Sequence, residues 1–216
     1  HCRCNPLQWQ RRCTRINHRD YKTVRETAWR VLVECEIAAL PVNLNAVLKH
    51  FGVRAYPYSR NWNQLGALGM ENAAQSTSGL AFYRDASPII MYDDRNTTNR
   101  IRFTVAHELG HIALGHVLPG EYTAVNREPS PSDSPMERAA NHFAIDLLAP
   151  ACVLWGMNLH TAAEIEAVCA ISAQAAQFRA QRMEQLYRLN KFLSTPLELA
   201  VYQQFLPFIR EWQAHC

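Results

Sequence analysis

The sequence lacks any apolar run that approaches the roughly 20 residues a membrane-spanning helix needs. Its first thirty residues also lack the compact apolar segment of a secretory signal. These two absences argue against a membrane protein and lead us to expect a cytoplasmic one. Internal repeats and low-complexity tracts are missing as well, which argues against a solenoid or a disordered chain.

A disulfide framework is also missing, because the seven cysteines are odd in number and follow no scaffold spacing. We therefore expect reduced thiols. Cys2, Cys4 and Cys13 with His18 could form a second metal site, but their spacings fit no usual zinc knuckle. A poorly ordered terminus that binds no metal is the favoured interpretation.

The net charge of +3 is small, but it is unevenly distributed. Residues 1–30 hold eight basic and two acidic side chains, which gives this arm a charge of +6. Such an arm could bind nucleic acid or an acidic partner, although a solvated tail that runs into a helix is favoured.

Hydrophobic periodicity predicts two helices near the start, from Asp20 to about Ile37 and from Pro41 to Phe51, with Gly52 as the stop of the second. Three short runs of β-forming residues follow, separated by polar or glycine-containing loops: Val53–Tyr58, Gly79–Tyr83 and Pro88–Tyr92. They predict a small, mostly antiparallel sheet.

A third helical pattern runs from the polar residues 96–99 to about His116 and contains the segment HELGH. Residues four apart share a helix face, so His107 and His111 can bind one Zn²⁺. Glu108 is rotated one step away, where its carboxylate can take the proton of a water that attacks a carbonyl. Two surface histidines beside a glutamate are the alternative, but apolar neighbours such as Val105 and Ile112 place the segment partly inside.

A proline- and serine-rich loop at about 117–136 is long enough to suspect a role at a binding cleft. Ser134-Pro135-Met136-Glu137 then predicts a helix start, and this helix ends at Leu148 before Pro150. A catalytic zinc takes three protein ligands and keeps one open position. Spacing alone leaves Glu137 equally suited to be the third ligand or the glutamate of a capping box.

The residues RFTVAHELGH at 102–111 closely resemble the corresponding motif of the ImmA/IrrE family of metallo-endopeptidases. The later block from Glu137 to Pro150 resembles the family pattern E-x-x-A-N-x-F-A-x-x-L-L-M-P, with Ala149 in place of methionine. The resemblance covers about residues 38–155.

The resemblance implies a zincin-like α+β fold with one catalytic Zn²⁺ held by His107, His111 and Glu137, with Glu108 as the base. Asn141, one turn after Glu137, is expected to support a ligand or the helix packing. Tyr92, Tyr122 and His142 stay open as groups that could assist the reaction, and His116 is expected at the carbonyls that end its helix. The implied substrate is a helix-turn-helix (XRE-type) repressor of a mobile element such as a prophage, or of a stress response.

The chain beyond Leu159 reads as helices at roughly 161–169, 172–190 and 195–213. The first two resemble a helix-turn-helix with Ala170-Ile171-Ser172 as the turn. Few basic residues accompany the would-be recognition helix, so packing on the peptidase or gripping the repressor is favoured over DNA binding.

These features predict three regions: a basic arm at 1–19, a metallopeptidase domain at 20–157 and a helix-turn-helix-like region at 158–216. The favoured function is a gluzincin-type zinc endopeptidase. A zinc-stabilised antirepressor that binds the repressor or DNA without cutting is the alternative, and the intact Glu108 favours the enzyme.

Overall fold

The computed structural model describes residues 21–117 and 134–215, and these residues form an α+β fold. Residues 1–20, which include the predicted basic arm at 1–19 and its three cysteines, lie outside the described residues, as do Cys216 and residues 118–133 of the predicted loop with Tyr122. No helix of the described segments is long and apolar enough to cross a membrane.

The first two predicted helices are present as α1 (Tyr21–Glu34) and α2 (Leu44–Phe51). Helix α2 begins after Pro41 because the Asn43 side chain accepts a hydrogen bond from the backbone N–H of Ala46 at 3.2 Å. Gly52 ends the helix in the left-handed conformation with φ of 63°, as the sequence predicts.

The sheet contains β1 (Arg54–Pro57), β2 (Gly79–Arg84) and β3 (Ser87–Tyr92) in the order β1-β3-β2. Strands β2 and β3 form an antiparallel hairpin, whose two turn residues both have the positive φ of a type I′ turn. Strand β1 pairs with β3 in parallel over four residues, against six in the antiparallel ladder. The sheet is therefore mixed, with the antiparallel pairing the longer one.

The prediction of loops between the first two strands is wrong, because this segment forms α3 (Tyr58–Ala67) and α4 (Glu71–Ser76). Both helices are rich in polar residues and carry few apolar ones. They fold because Leu65 and Met70 are buried with Phe82 in a second, smaller hydrophobic cluster on the sheet. A window of sequence without this tertiary partner has too weak a pattern to reveal them.

Two helices that cross closely carry the predicted motifs, α5 (Thr98–Ala113) and α6 (Pro135–Leu148). A Cβ atom added at Gly110 would lie 3.0 Å from the Phe143 ring and 3.3 Å from the backbone of Ala140. Small side chains at this crossing thus let the backbones approach. Helix α5 ends three residues before the predicted His116, since Gly115 adopts φ of 73°.

The helices after α6 are α7 (Ala151–Gly156), α8 (Ala162–Cys169), α9 (Ala173–Arg188) and α10 (Pro196–His215). The sequence predicts the last three and misses the short α7. Helix α10 packs on α1 and α7, where Phe205 and Ile209 are fully buried. Gln204 also donates hydrogen bonds to the carbonyl oxygens of Leu32 at 2.9 Å and Ile37 at 2.7 Å. One hydrophobic core therefore runs from the first described helix to the last.

Candidate active site and metal centre

Three polar side chains from α5 and α6 converge at the helix crossing. The Nε2 atoms of His107 and His111 are 3.0 Å apart. One carboxylate oxygen of Glu137 lies 3.1 Å from Nε2 of His107, and the other lies 3.4 Å from Nε2 of His111. The structure thus brings together the three residues that the two sequence motifs single out.

The outer nitrogens of the two imidazoles also have partners. The Nδ1 atom of His107 lies 2.9 Å from Oδ1 of Asn141. Since that oxygen only accepts, Nδ1 carries the hydrogen, and the Nε2 of a neutral ring keeps its lone pair. The Nδ1 atom of His111 lies 3.0 Å from Nδ1 of His116. When His111 donates this hydrogen bond, its Nε2 also presents a lone pair towards Glu137.

Glu108 lies beside the two histidines, and only 2% of its surface is exposed. The first residue of β2 makes room for it, because a Cβ atom at Gly79 would lie 3.0 Å from the Cγ of Glu108 and 2.5 Å from a Thr104 methyl. A glycine at this point allows β2 to pass directly over the carboxylate. The sequence analysis did not single out Gly79, and a glycine at a strand start is only a weak signal for such a contact.

Glu137 is both the third residue of a capped helix and a member of the histidine cluster. Its backbone N–H donates to the Ser134 hydroxyl at 3.1 Å, so the N-terminus of α6 is capped as predicted. Its carboxylate faces the two histidines. Any residue at this position could make the backbone bond, whereas the side chain that a capping box would use faces the histidine cluster.

This set of donor atoms fits a zinc ion. Four ligands at about 2.0–2.2 Å from tetrahedral zinc are about 3.3–3.6 Å from one another. The Nε2–Nε2 distance of 3.0 Å and the distances of 3.1 and 3.4 Å to the two different oxygens of Glu137 lie near that spacing, and one ligand atom from each residue lies within 4.8 Å of the others. Two imidazole nitrogens and a carboxylate that face each other are electron-pair donors, which a shared cation stabilises. These three residues are the cluster in the described part of the chain that could hold a metal ion.

A cleft of about 1120 Å³ opens over this cluster. The cleft is lined by His107, Glu108 and Glu137 and by residues 77–79, which lead into β2. The buried His111 lies behind them. Helices α1 and α9 form the other walls. The volume exceeds that of most small-molecule pockets, so the cleft has room for a segment of polypeptide.

The α8–α9 hairpin is held on the peptidase core by polar contacts at both ends. Arg102 of α5 donates to the carbonyl of Ala170 in the turn at 3.1 Å, and Asn99 donates to that of Ile171 at 3.0 Å. Arg179 of α9 forms a buried ion pair with Asp146 of α6 at 2.6 Å. The guanidinium of Arg179 therefore faces the protein interior rather than solvent. This orientation fits a helix that packs on the peptidase, whereas DNA binding would need the basic group at the surface.

Tyr92 and His142, which the sequence leaves open as groups that could assist the reaction, differ in their position relative to the cleft. Tyr92 packs beside the main core and pairs across the sheet with the cleft-lining Gly79, but it is not itself one of the residues that line the cleft. His142 lines the cleft, with its ring centroid 4.3 Å from that of Tyr21.

Burial raises the pKa of the Cys169 thiol to about 12 and that of Cys152 further, so both stay protonated and packed in the core.

An α+β fold in which the two histidines of H-E-x-x-H meet a carboxylate from the next helix defines a metallopeptidase class. The family model described as the IrrE N-terminal-like domain, peptidase M78, matches residues 64–190. Because the match spans more than half of the sequence, the chain belongs to the ImmA/IrrE family of metallopeptidases. No curated protein and no solved structure gives a match.

Proposed function

We propose that the protein is a zinc-dependent endopeptidase in which His107, His111 and Glu137 bind the metal and Glu108 is the general base. The convergence of His107, His111 and Glu137 within hydrogen-bonding distance is the observation that carries this proposal. The HExxH arrangement with a glutamate as third ligand corresponds to a gluzincin-type site.

The residues of the cleft divide the chemistry among them. When bound, zinc polarises the scissile carbonyl and lowers the pKa of a water towards ~7. Asn141 orients the ring of His107 through the 2.9 Å hydrogen bond to Nδ1. The buried Glu108 accepts the proton of the water that attacks the carbonyl and then delivers it to the leaving amine. Gly79 at the start of β2 passes directly over the Glu108 side chain.

We further propose that the substrate is a helix-turn-helix repressor, which would place the enzyme in the cytoplasm and its effect in the control of transcription. The resemblance of the two motifs supports this substrate, and the size of the cleft suits a stretch of polypeptide. The α8–α9 hairpin is docked as a wall of that cleft, which favours contact with a protein substrate over contact with DNA.

Cleavage by wild type and by a Glu108→Gln variant tests the proposal. Both proteins are loaded with zinc, mixed with the repressor that is encoded beside the peptidase, and examined for fragments by mass spectrometry. We expect wild type to cut and Glu108→Gln to lose about 10²-fold or more in rate while it keeps its zinc. Glu211→Gln is the matched control, since this exposed glutamate of α10 lies outside the cleft.

Equal cleavage by wild type and Glu108→Gln would contradict the role of Glu108. Binding of the repressor by both proteins without fragments would favour the antirepressor that the sequence leaves as an alternative.

A further inference from the structure

The cleft wall opposite the metal cluster is formed by two helices that carry basic and aromatic side chains. Helix α1 contributes Arg25 and Trp29, and helix α9 contributes Phe178 and Arg182. Phe178 is 62% exposed even though it is a large apolar residue, and it lies one position before the buried Arg179 that anchors the helix. An exposed aromatic ring inside a cleft offers a surface for an apolar side chain of a ligand.

Apart from Glu108 and Glu137 at the metal cluster, the charges along this cleft are unbalanced once their partners are counted. The acidic Asp146 is bound by Arg179, and the buried Glu198 accepts hydrogen bonds from the backbone and hydroxyl of Ser194 at 2.9 and 3.2 Å. By contrast, Arg182 has a neutral hydrogen-bond partner in Gln185. Arg100 and Lys191 add two further exposed basic side chains to the lining. The walls therefore favour a ligand with negative charge.

Two donors in the α1 wall lack acceptors among the described residues. The indole Nε1 of Trp29 and the Nε of Arg25 are both buried without a hydrogen-bond partner there. Trp29 is only 1% exposed, and the Arg25 guanidinium lies 4.9 Å from the centre of its ring. Such donors cost free energy, and the Arg25 side chain adds a positive charge to this wall of the cleft.

We propose that the cleft selects a substrate segment in which an acidic side chain stands close to a large apolar one. Arg25 of α1 and Arg182 of α9 attract the carboxylate, and Phe178 contacts the apolar side chain. This inference rests on the proposed peptidase function, because it names the kind of sequence that the same site accepts. A duplex nucleic acid is also anionic, and it is the rival ligand that the test below includes.

Binding to the non-cleaving protein tests the preference separately from catalysis. The full chain with Glu108→Gln is loaded with zinc and titrated into fluorescein-labelled twelve-residue peptides, and affinity is read from fluorescence anisotropy. One peptide carries leucine flanked by aspartate and glutamate, and its isostere carries asparagine and glutamine instead. The third ligand is a DNA duplex of random sequence that carries the same fluorescein label.

We expect the acidic peptide to bind roughly three- to tenfold more tightly than its isostere, and more salt to reduce the difference. Arg182→Glu and Arg25→Met should each reduce this preference, whereas Arg188→Glu should keep it, because Arg188 is on α9 outside the cleft. Phe178→Ser should weaken both peptides. The matched Leu189→Ser, at an equally exposed position outside the cleft, should weaken neither.

Equal affinities for the acidic peptide and its isostere would overturn the inference, even if wild type cuts the repressor. So would a preference that Arg188→Glu removes as strongly as Arg182→Glu, or DNA binding that is tighter than peptide binding and depends on Arg182. If the preference holds but wild type cuts nothing, the selective cleft stands and the peptidase proposal fails.

Discussion

At the scale of single residues, the outer nitrogens of both cluster histidines have partners, one that belongs to the second sequence motif and one that lies beyond the HELGH segment. Asn141 contacts the outer nitrogen of His107, and His116 contacts that of His111. The expectation that His116 mainly meets the carbonyls at the end of α5 missed this ring contact. Groups that bond the outer nitrogen of a metal-binding histidine fix its tautomer and its orientation.

Replacing His116 by alanine should weaken zinc binding about 10- to 100-fold, because His111 loses the partner that orients its ring. Competition with a fluorescent zinc chelator measures the affinity. His215→Ala is the control, since His215 is exposed near the end of α10. Unchanged zinc affinity in His116→Ala would show that the 3.0 Å contact has no positioning role.

Two substitutions separate the metal-binding role of Glu137 from its place in the helix cap. Glu137→Ala should lose bound zinc but keep the hydrogen bond from its backbone N–H to Ser134. Ser134→Ala should keep zinc and lose about 1 kcal/mol of unfolding free energy. Metal analysis after dialysis and urea unfolding measure the two quantities. A Glu137→Ala protein with full zinc content would leave Glu137 with the capping role alone.

At the scale of secondary-structure elements, the α8–α9 hairpin owes its position to the buried pair of Arg179 and Asp146. Arg179→Ala should destabilise the protein by about 3–5 kcal/mol, because it leaves a buried carboxylate without its partner. Removing both charges in Arg179→Ala with Asp146→Ala should cost less than the sum of the single changes. Urea unfolding gives the four free energies.

The exposed pair of Glu184 and Arg188 on the same helix is the control for that cycle. Arg188→Ala should change the unfolding free energy by no more than about 1 kcal/mol. If Arg179→Ala were as mild as Arg188→Ala, the hairpin would have to be held by other contacts.

Elements with strong local signals could be predicted from the sequence, and those that depend on distant partners could not. The caps of α5 and α6, the stop at Gly52 and the strands of the hairpin all follow from local chemistry. Helices α3 and α4 escaped prediction because their few apolar residues matter only against the sheet.

The candidate site shows the same division. His107, Glu108 and His111 follow from spacing on one helix, whereas Glu137 needed a family resemblance, since it lies 26 positions after His111 on another helix. The approach of Gly79 to Glu108 and of His116 to His111 depends on tertiary packing that no spacing reveals.

At the scale of the whole molecule, the core continues across residue 157, where we placed the boundary of the peptidase domain. Helix α10 covers α1 and α7 with buried side chains such as Phe205. The boundary at residue 157 stays a prediction. It divides the chain into a metallopeptidase part and a helix-turn-helix-like part by role, and it does not mark two units that fold independently. A chain that ends at residue 157 should lose cooperative unfolding, because α1 would expose the surface that α10 covers.

Phe205→Ala tests the same dependence without truncation, and it should cost about 3–5 kcal/mol of unfolding free energy. Leu199→Ala on the same helix is 41% exposed and should cost less than about 1 kcal/mol. A cooperative transition in the shortened chain, together with a mild Phe205→Ala, would show that the last helices are an appendage.

The central claim is that His107, His111 and Glu137 together hold one zinc ion. An anomalous difference map at the zinc edge, from crystals of the zinc-loaded protein, tests it most directly. We predict one strong peak about 2.0–2.2 Å from Nε2 of both histidines and from a carboxylate oxygen of Glu137. A peak on other ligands such as Cys2, Cys4 and Cys13, with none at the histidine pair, would contradict the account.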